Sequence, residues 1–98
     1  MQFQNRDIPA LIRDLRDFRT QNGTVFAEHD HKGRYVVYSY GKHFPMAMYD
    51  GEQWRVNYDK YSRTTSKHQG YVRQGIQQRG DRHAQADTRG LCAMLGIL

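Results

Sequence analysis

Residues 44–58, FPMAMYDGEQWRVNY, constrain the fold more than any other stretch. Asp50-Gly51 stands between two runs of aromatic and apolar side chains, and such a dipeptide is the strongest short-range sign of a β-hairpin. Strands are therefore predicted over Phe44–Tyr49 and Gln53–Tyr58. In the second, Trp54, Val56 and Tyr58 alternate with Arg55, Asn57 and Asp59. One face is apolar and the other polar, as in an antiparallel sheet covered on one side. Pro45 has no N–H to donate and belongs at a strand start or on an edge.

Two more strands precede the hairpin. Thr24–His29 is rich in β-formers and closes on the turn-like Asp30-His31-Lys32-Gly33; Arg34–Tyr40 (RYVVYSY) follows and is interrupted by Gly41. Upstream, Ile8, Leu11, Ile12, Leu15 and Phe18 recur at helical spacing, with Arg13, Asp14, Arg16, Asp17 and Arg19 on the opposite face. Asp7 is the expected N-cap, Pro9 lies in the first turn, and Asn22-Gly23 is the expected C-cap. This amphipathic helix is the natural cover for the sheet.

After Tyr61 the pattern changes. Thr64 or Thr65 is suited to cap a second helix, and His68, Val72 and Ile76 recur every four residues, which predicts a helix over Thr65–Gln78. Gly70 and Gly75 weaken it, each by about 1 kcal/mol against Ala, unless they let the helix lie close against the sheet. Arg79–Thr88 (RGDRHAQADT) is polar and reads as a flexible linker. Residues 90–98 turn abruptly apolar, with Leu91, Cys92, Ala93, Met94, Leu95, Ile97 and Leu98. They predict a short helix packed at a homodimer interface or over the open sheet face. The expected architecture is thus α+β. A single domain over residues 1–78 holds an N-terminal helix, a four-stranded antiparallel sheet and a second helix. Residues 79–98 form the polar linker and the apolar C-terminal segment. A chain of 98 residues has room for one domain with a thin core.

The charge balance bears on partners. Net charge is +5, and it is uneven: residues 1–60 hold nine Lys/Arg against eight Asp/Glu, residues 61–98 six against two. A basic second part favours an anionic partner. The lone Cys92 excludes an internal disulfide framework and fits a reducing compartment. With no apolar run of signal-peptide or membrane-span length, the chain is expected to be cytoplasmic and without a membrane partner.

Nothing in the sequence names a reaction. His29 and His31 straddle a turn, with no third ligand at a recognisable metal spacing. Cys92 sits among apolar residues rather than beside a base. Asp50, Glu52 and Asp59 are accounted for by hairpin ends, and the glycines form no phosphate loop. No catalytic residue, metal or cofactor is therefore expected, and the protein is read as a non-enzyme.

What remains is Tyr58–Ile76, where strand hands over to helix. A helix N-terminus offers free N–H groups and partial positive charge to an anion. Thr64, Thr65 and Ser66 add hydroxyls, and Lys60, Arg63, Lys67 and Arg73 add charge, the mixture that grips nucleic-acid phosphates. Tyr38, Tyr40, Trp54, Tyr58, Tyr61 and His68 are candidates for stacking on bases or for contacting a protein partner. The same residue types also serve as ordinary helix caps and sheet packing.

Tyr38-Ser39-Tyr40-Gly41, Phe44-Pro45, Trp54 and the run Asp59-Lys60-Tyr61-Ser62-x-Thr64-Thr65-Ser66-x-His68-Gln69 resemble a small uncharacterised family of tailed-bacteriophage and prophage proteins. The resemblance covers about residues 35–76, and Gly70 and Gly75 depart from the helix-favouring residues expected there. It implies a context, the cytoplasm of an infected host cell, rather than a mechanism. Two roles follow as expectations. One is an accessory protein that binds DNA or RNA. The other is an anti-defence or host-takeover inhibitor acting on a host protein, for example a CRISPR or other defence complex. A homodimer through residues 90–98 is the third expected contact.

Overall fold

A computed structural model describes residues 3–97. At the predicted hairpin, β4 (Pro45–Tyr49) pairs antiparallel with β5 (Trp54–Asn57), and Tyr49 lies opposite Trp54. The Asp50 carboxylate accepts the N–H groups of Gln53 at 3.0 Å and Glu52 at 2.9 Å and a guanidinium N–H of Arg55 at 3.0 Å. These donors, the Gln53 N–H foremost, hold its carboxyl down at about 2. Pro45 opens its strand, as its missing N–H requires, and the register of β4 against the preceding strand shifts there, where Pro45 lies opposite Tyr38.

The other two expected strands are β2 (Val25–His29) and β3 (Tyr35–Ser39). Among the described residues, however, the sheet has six strands, not four. Phe18–Arg19 forms β1 and His83–Ala86 forms β6, and all six run in sequence order. β1 to β5 are antiparallel neighbours, whereas β6 lies parallel to β5. The polar stretch expected as a linker therefore holds an edge strand. Its backbone groups, not its side chains, bring it into the sheet, and hydropathy does not register them.

The N-terminal helix is shorter than expected. A 3-10 turn, Asn5–Asp7, leads into α1 (Ile8–Arg13). Asp7 is the N-cap residue of α1, but its carboxylate serves the Gln4 N–H, at 2.8 Å. The helix ends in a Schellman arrangement: Arg16 N–H donates to Leu11 C=O and Leu15 N–H to Ile12 C=O, both at 3.0 Å, with Leu15 left-handed at φ 52°. Phe18 leaves the helix because its backbone pairs with Ala27, and Asp17 fixes that exit by accepting the His29 N–H at 3.1 Å. Asn22-Gly23, the expected cap, instead makes the β1–β2 turn, with Gly23 N–H donating to Thr20 C=O at 2.8 Å.

The second helix, α2 (Arg63–Arg79), carries the crossover from β5 to β6 and packs beside α1 on one face of the sheet. Ile8, Leu11, Ile12, Val72 and Ile76 meet Val25, Tyr35, Val37, Met46, Trp54 and Val56 there. The first helix is thus half of the cover. Gly75 belongs to the helix pair: a Cβ on it would stand 2.8 Å from Pro9 O and 2.9 Å from Ile12 Cβ. Its close approach is to α1, not to the sheet. The opposite face is covered by α3 (Thr88–Leu95), whose Leu91 is buried among Phe26, Val36, Tyr38 and Met48. Of the two placements expected for the apolar C-terminal segment, the structure has the one over the sheet; Leu98 lies outside the described residues. β3 is consequently buried along both faces.

Candidate functional site

The loop from β5 to α2 is held by side chains that sequence reading passed over. Asn57 Nδ2 donates to Pro45 O at 2.8 Å and to Thr88 Oγ1 at 2.9 Å, and Asn57 Oδ1 accepts the Asp59 N–H at 2.8 Å. Gln69 Nε2 reaches back from α2 to the carbonyls of Asn57 and Asp59, at 2.9 and 3.0 Å. Asn57 and Gln69 are both buried. A polar residue at the end of a strand and another inside a helix were the available signals, and neither names its partner.

The helix itself starts earlier than Thr65. Ser62 is the N-cap, in extended conformation, and its Oγ accepts the Thr65 N–H at 3.1 Å. Neither Thr64 nor Thr65 caps. Thr65 is buried, and its hydroxyl meets Ser39 Oγ at 3.2 Å, which in turn meets His68 Nδ1 at 3.0 Å. Burial pushes the His68 imidazole below its ordinary value, so the ring is neutral at pH 7. Ser39 and His68 have the spacing of a nucleophile and its base, but both are closed off from solvent. This hydroxyl–imidazole chain is therefore a satisfied polar seam that pins the first turns of α2 to β3.

The residues singled out from sequence divide by exposure. Lys60, Arg63, Thr64, Ser66, Lys67 and Arg73 face solvent, while Thr65 does not. Among the aromatic candidates Tyr38, Trp54 and His68 are buried, so none of the three offers a ring to a base. Tyr38 stacks on Phe26 beneath α3, and Trp54 stacks on Tyr49 while its Nε1 donates to Asp81 at 3.0 Å. Alternation in a strand cannot warn of this when both faces of the sheet are covered.

Tyr40, Tyr58 and Tyr61 are exposed. Tyr61 leans on Phe44 and His43, with ring centroids at 5.1 and 6.2 Å, and Tyr40 lies 5.8 Å from His68. Tyr40 is held at φ 65°, a conformation that β-carbon-bearing residues rarely adopt. Tyr58, the residue after β5, has the Arg73 guanidinium of α2 5.6 Å from its ring and the His83 ring 6.2 Å away. A cleft of about 490 Å³ opens beside them, lined in part by Val56, Ile76, Gln77 and Asp81. Asp81 is already paired with Arg79, so Arg73 is the free charge at its margin.

The electrostatic character is one-signed. From Lys60 through Gly80 the chain has no acidic residue. The ion pairs among the described residues involve Arg13, His29, Arg34, Lys42, Arg55 and Arg79, and leave Lys60, Arg63, Lys67 and Arg73 out. Four unneutralised cations thus share one helix and the loop before it. The other candidates for chemistry are spoken for. His29 Nδ1 lies 2.7 Å from Asp17, and burial pushes the Cys92 thiol up, away from the thiolate. Among the described residues no three His, Cys, Asp or Glu side chains gather.

No curated protein and no solved structure matches the chain. A family model does, over residues 13–88, a span that includes β6 and extends well beyond the 35–76 stretch noted in the sequence. With most of its length matched, from the end of α1 to the start of α3, the chain belongs to the family of unknown function DUF8033.

Proposed function

We propose that this protein is a small non-enzymatic accessory protein, phage-encoded and acting in the host cytoplasm, that binds nucleic acid through the loop before α2 and the exposed face of that helix. The observation that carries the reading is the set of exposed, unpaired cations Lys60, Arg63, Lys67 and Arg73 on a segment without a single acidic residue. A solvated helix face ordinarily mixes signs, because like charges one turn apart repel. A one-signed face carries that repulsion when alone and is relieved of it against a polyanion. Thr64 and Ser66 stand beside these cations as hydroxyl donors to phosphate. Thr65 holds the helix in place instead.

The test is a fluorescence-anisotropy titration of single- and double-stranded DNA and RNA across a series of salt concentrations. Affinity should fall steeply with salt, and replacing Lys60 or Lys67 by Ala should flatten the logarithmic slope by about one unit each. A slope unchanged on loss of Lys67 would remove that residue from the interface.

A second reading draws on Tyr40 and Tyr61, exposed rings at the N-terminal end of α2, one of them on a backbone conformation that sterics disfavour for a residue with a β-carbon. Exposed aromatic anchors dominate protein–protein interfaces, which suits an inhibitor of a host protein, such as a defence complex. Capture of one specific host protein in nuclease-treated extract, lost on Tyr61→Ala and kept on Lys67→Ala, would favour it.

A further inference from the structure

α2 contains two glycines with opposite surroundings. Gly75 is required by the close approach of α1. Among the described residues nothing requires Gly70: a Cβ added there would meet no atom within 4 Å, and its φ lies outside the left-handed range. Glycine is among the poorest helix formers, yet here it stands half-buried near the middle of a 17-residue helix. The buried stripe runs through Thr65, His68, Val72 and Ile76, and Gly70 falls on the opposite side. One turn away on that face are Ser66, Lys67, Arg73 and Gln74, and two turns away Arg63 and Gln77.

Resting on the nucleic-acid reading above, we infer that α2 is a recognition helix that lies in the major groove of B-form DNA, with Gly70 at the point of closest approach. Three observations select this occupant. The sheet is no platform for unstacked bases, because β3 is buried along both faces and Tyr38 and Trp54 are enclosed. The helix face is cationic, with Arg and Gln side chains on either side of the glycine. Those are the groups that pair with guanine and adenine edges, while Lys60, Lys67 and Arg73 flank them as phosphate contacts. Finally, a helix of roughly 10–12 Å diameter only just fits a groove about 12 Å wide. A missing side chain at the centre lets the backbone go deeper. The deep, narrow major groove of A-form RNA does not admit a helix.

The experiment compares one mixed-sequence DNA duplex with the RNA duplex and the single strands of the same sequence. It adds methylation protection at guanine N7, which lines the major groove. The expected result is a DNA-duplex preference of roughly tenfold or more, with N7 protection within the bound site. Gly70→Leu, whose side chain points into open space, should fold with equal or higher Tm and lose at least roughly tenfold in DNA affinity. Equal binding to RNA duplex or single strands, an unprotected N7, or a folded Gly70→Leu that binds like the wild type would each overturn the groove assignment alone. No binding to any of the four nucleic acids would overturn it together with the nucleic-acid reading.

Discussion

The Asp59 carboxylate accepts the backbone N–H of Thr88 at 2.8 Å, so the loop that leaves β5 supplies negative charge to the first turn of α3. Asp87, the N-cap of that helix, accepts the Gly90 N–H at 2.7 Å. The two carboxylates together seat α3, and through Asp59 they tie it to the loop that presents Lys60. Asp59→Ala should cost about 1 kcal/mol, the scale of a charge-assisted bond at an exposed helix start. It should also loosen α3 before the rest of the fold. Faster modification of Cys92 by a thiol reagent, relative to wild type, is the expected readout.

His68 sets a pH dependence. Burial lowers its folded pKa below the unfolded value near 6.5. Above that value both states are neutral and the ring contributes nothing. As pH falls through it, the unfolded chain takes up a proton that the folded chain refuses, and stability declines. Urea midpoints should therefore drop as pH falls below about 6.5, and His68→Gln should flatten that part of the profile.

Gly75→Ala and Gly70→Ala should move stability in opposite directions. At Gly75 the new methyl collides with Pro9 O and Ile12 Cβ, and overpacking of this kind costs roughly 1–3 kcal/mol. At Gly70 it meets nothing, and the gain in helix propensity is about 1 kcal/mol. Thermal unfolding of the two variants side by side gives the comparison.

Asn57→Asp keeps the shape and the acceptor for the Asp59 N–H but removes both donated bonds. Pro45 O then loses its side-chain donor beside a buried carboxylate. A loss of about 1–3 kcal/mol is expected for the unpaired group alone, with the larger effect at neutral pH, where the new side chain is charged.

Tyr40→Gly tests whether the left-handed residue serves the fold. The strained φ is relieved by roughly 1 kcal/mol, and little packing is lost from a ring that is 48% exposed. Stability should be unchanged or slightly higher, so any loss of partner binding in this variant reports on the ring.

The elements legible in the sequence are those where side chains and backbone point to the same answer. β2 to β5 have β-branched and aromatic content between turn residues, and the hairpin at Asp50-Gly51 is local chemistry. α2 follows its four-residue apolar spacing to within two residues of the expected start. The misreadings have local causes as well. Leu15 and Phe18 fit a helical stripe, but periodicity does not say where a chain turns out of the helix, and the pairing of Phe18 with Ala27 decided it. β6 has almost no apolar side chain, so only a strand edge already in place could define it.

By itself the sequence determined an α+β chain with a hairpin, an amphipathic helix and a cluster of cations and hydroxyls where strand passes to helix. Charge, turn chemistry and apolar spacing are local properties, and they are written residue by residue. Tertiary structure decided which members of that cluster reach solvent. α3 closed the second face of the sheet over Tyr38, and α1 with α2 closed the first over Trp54. The seam from Ser39 to His68 took Thr65 inward, and Lys60, Arg63, Lys67 and Arg73 were left outside. Burial is set by what packs against a residue from elsewhere in the chain, and no local pattern contains that partner.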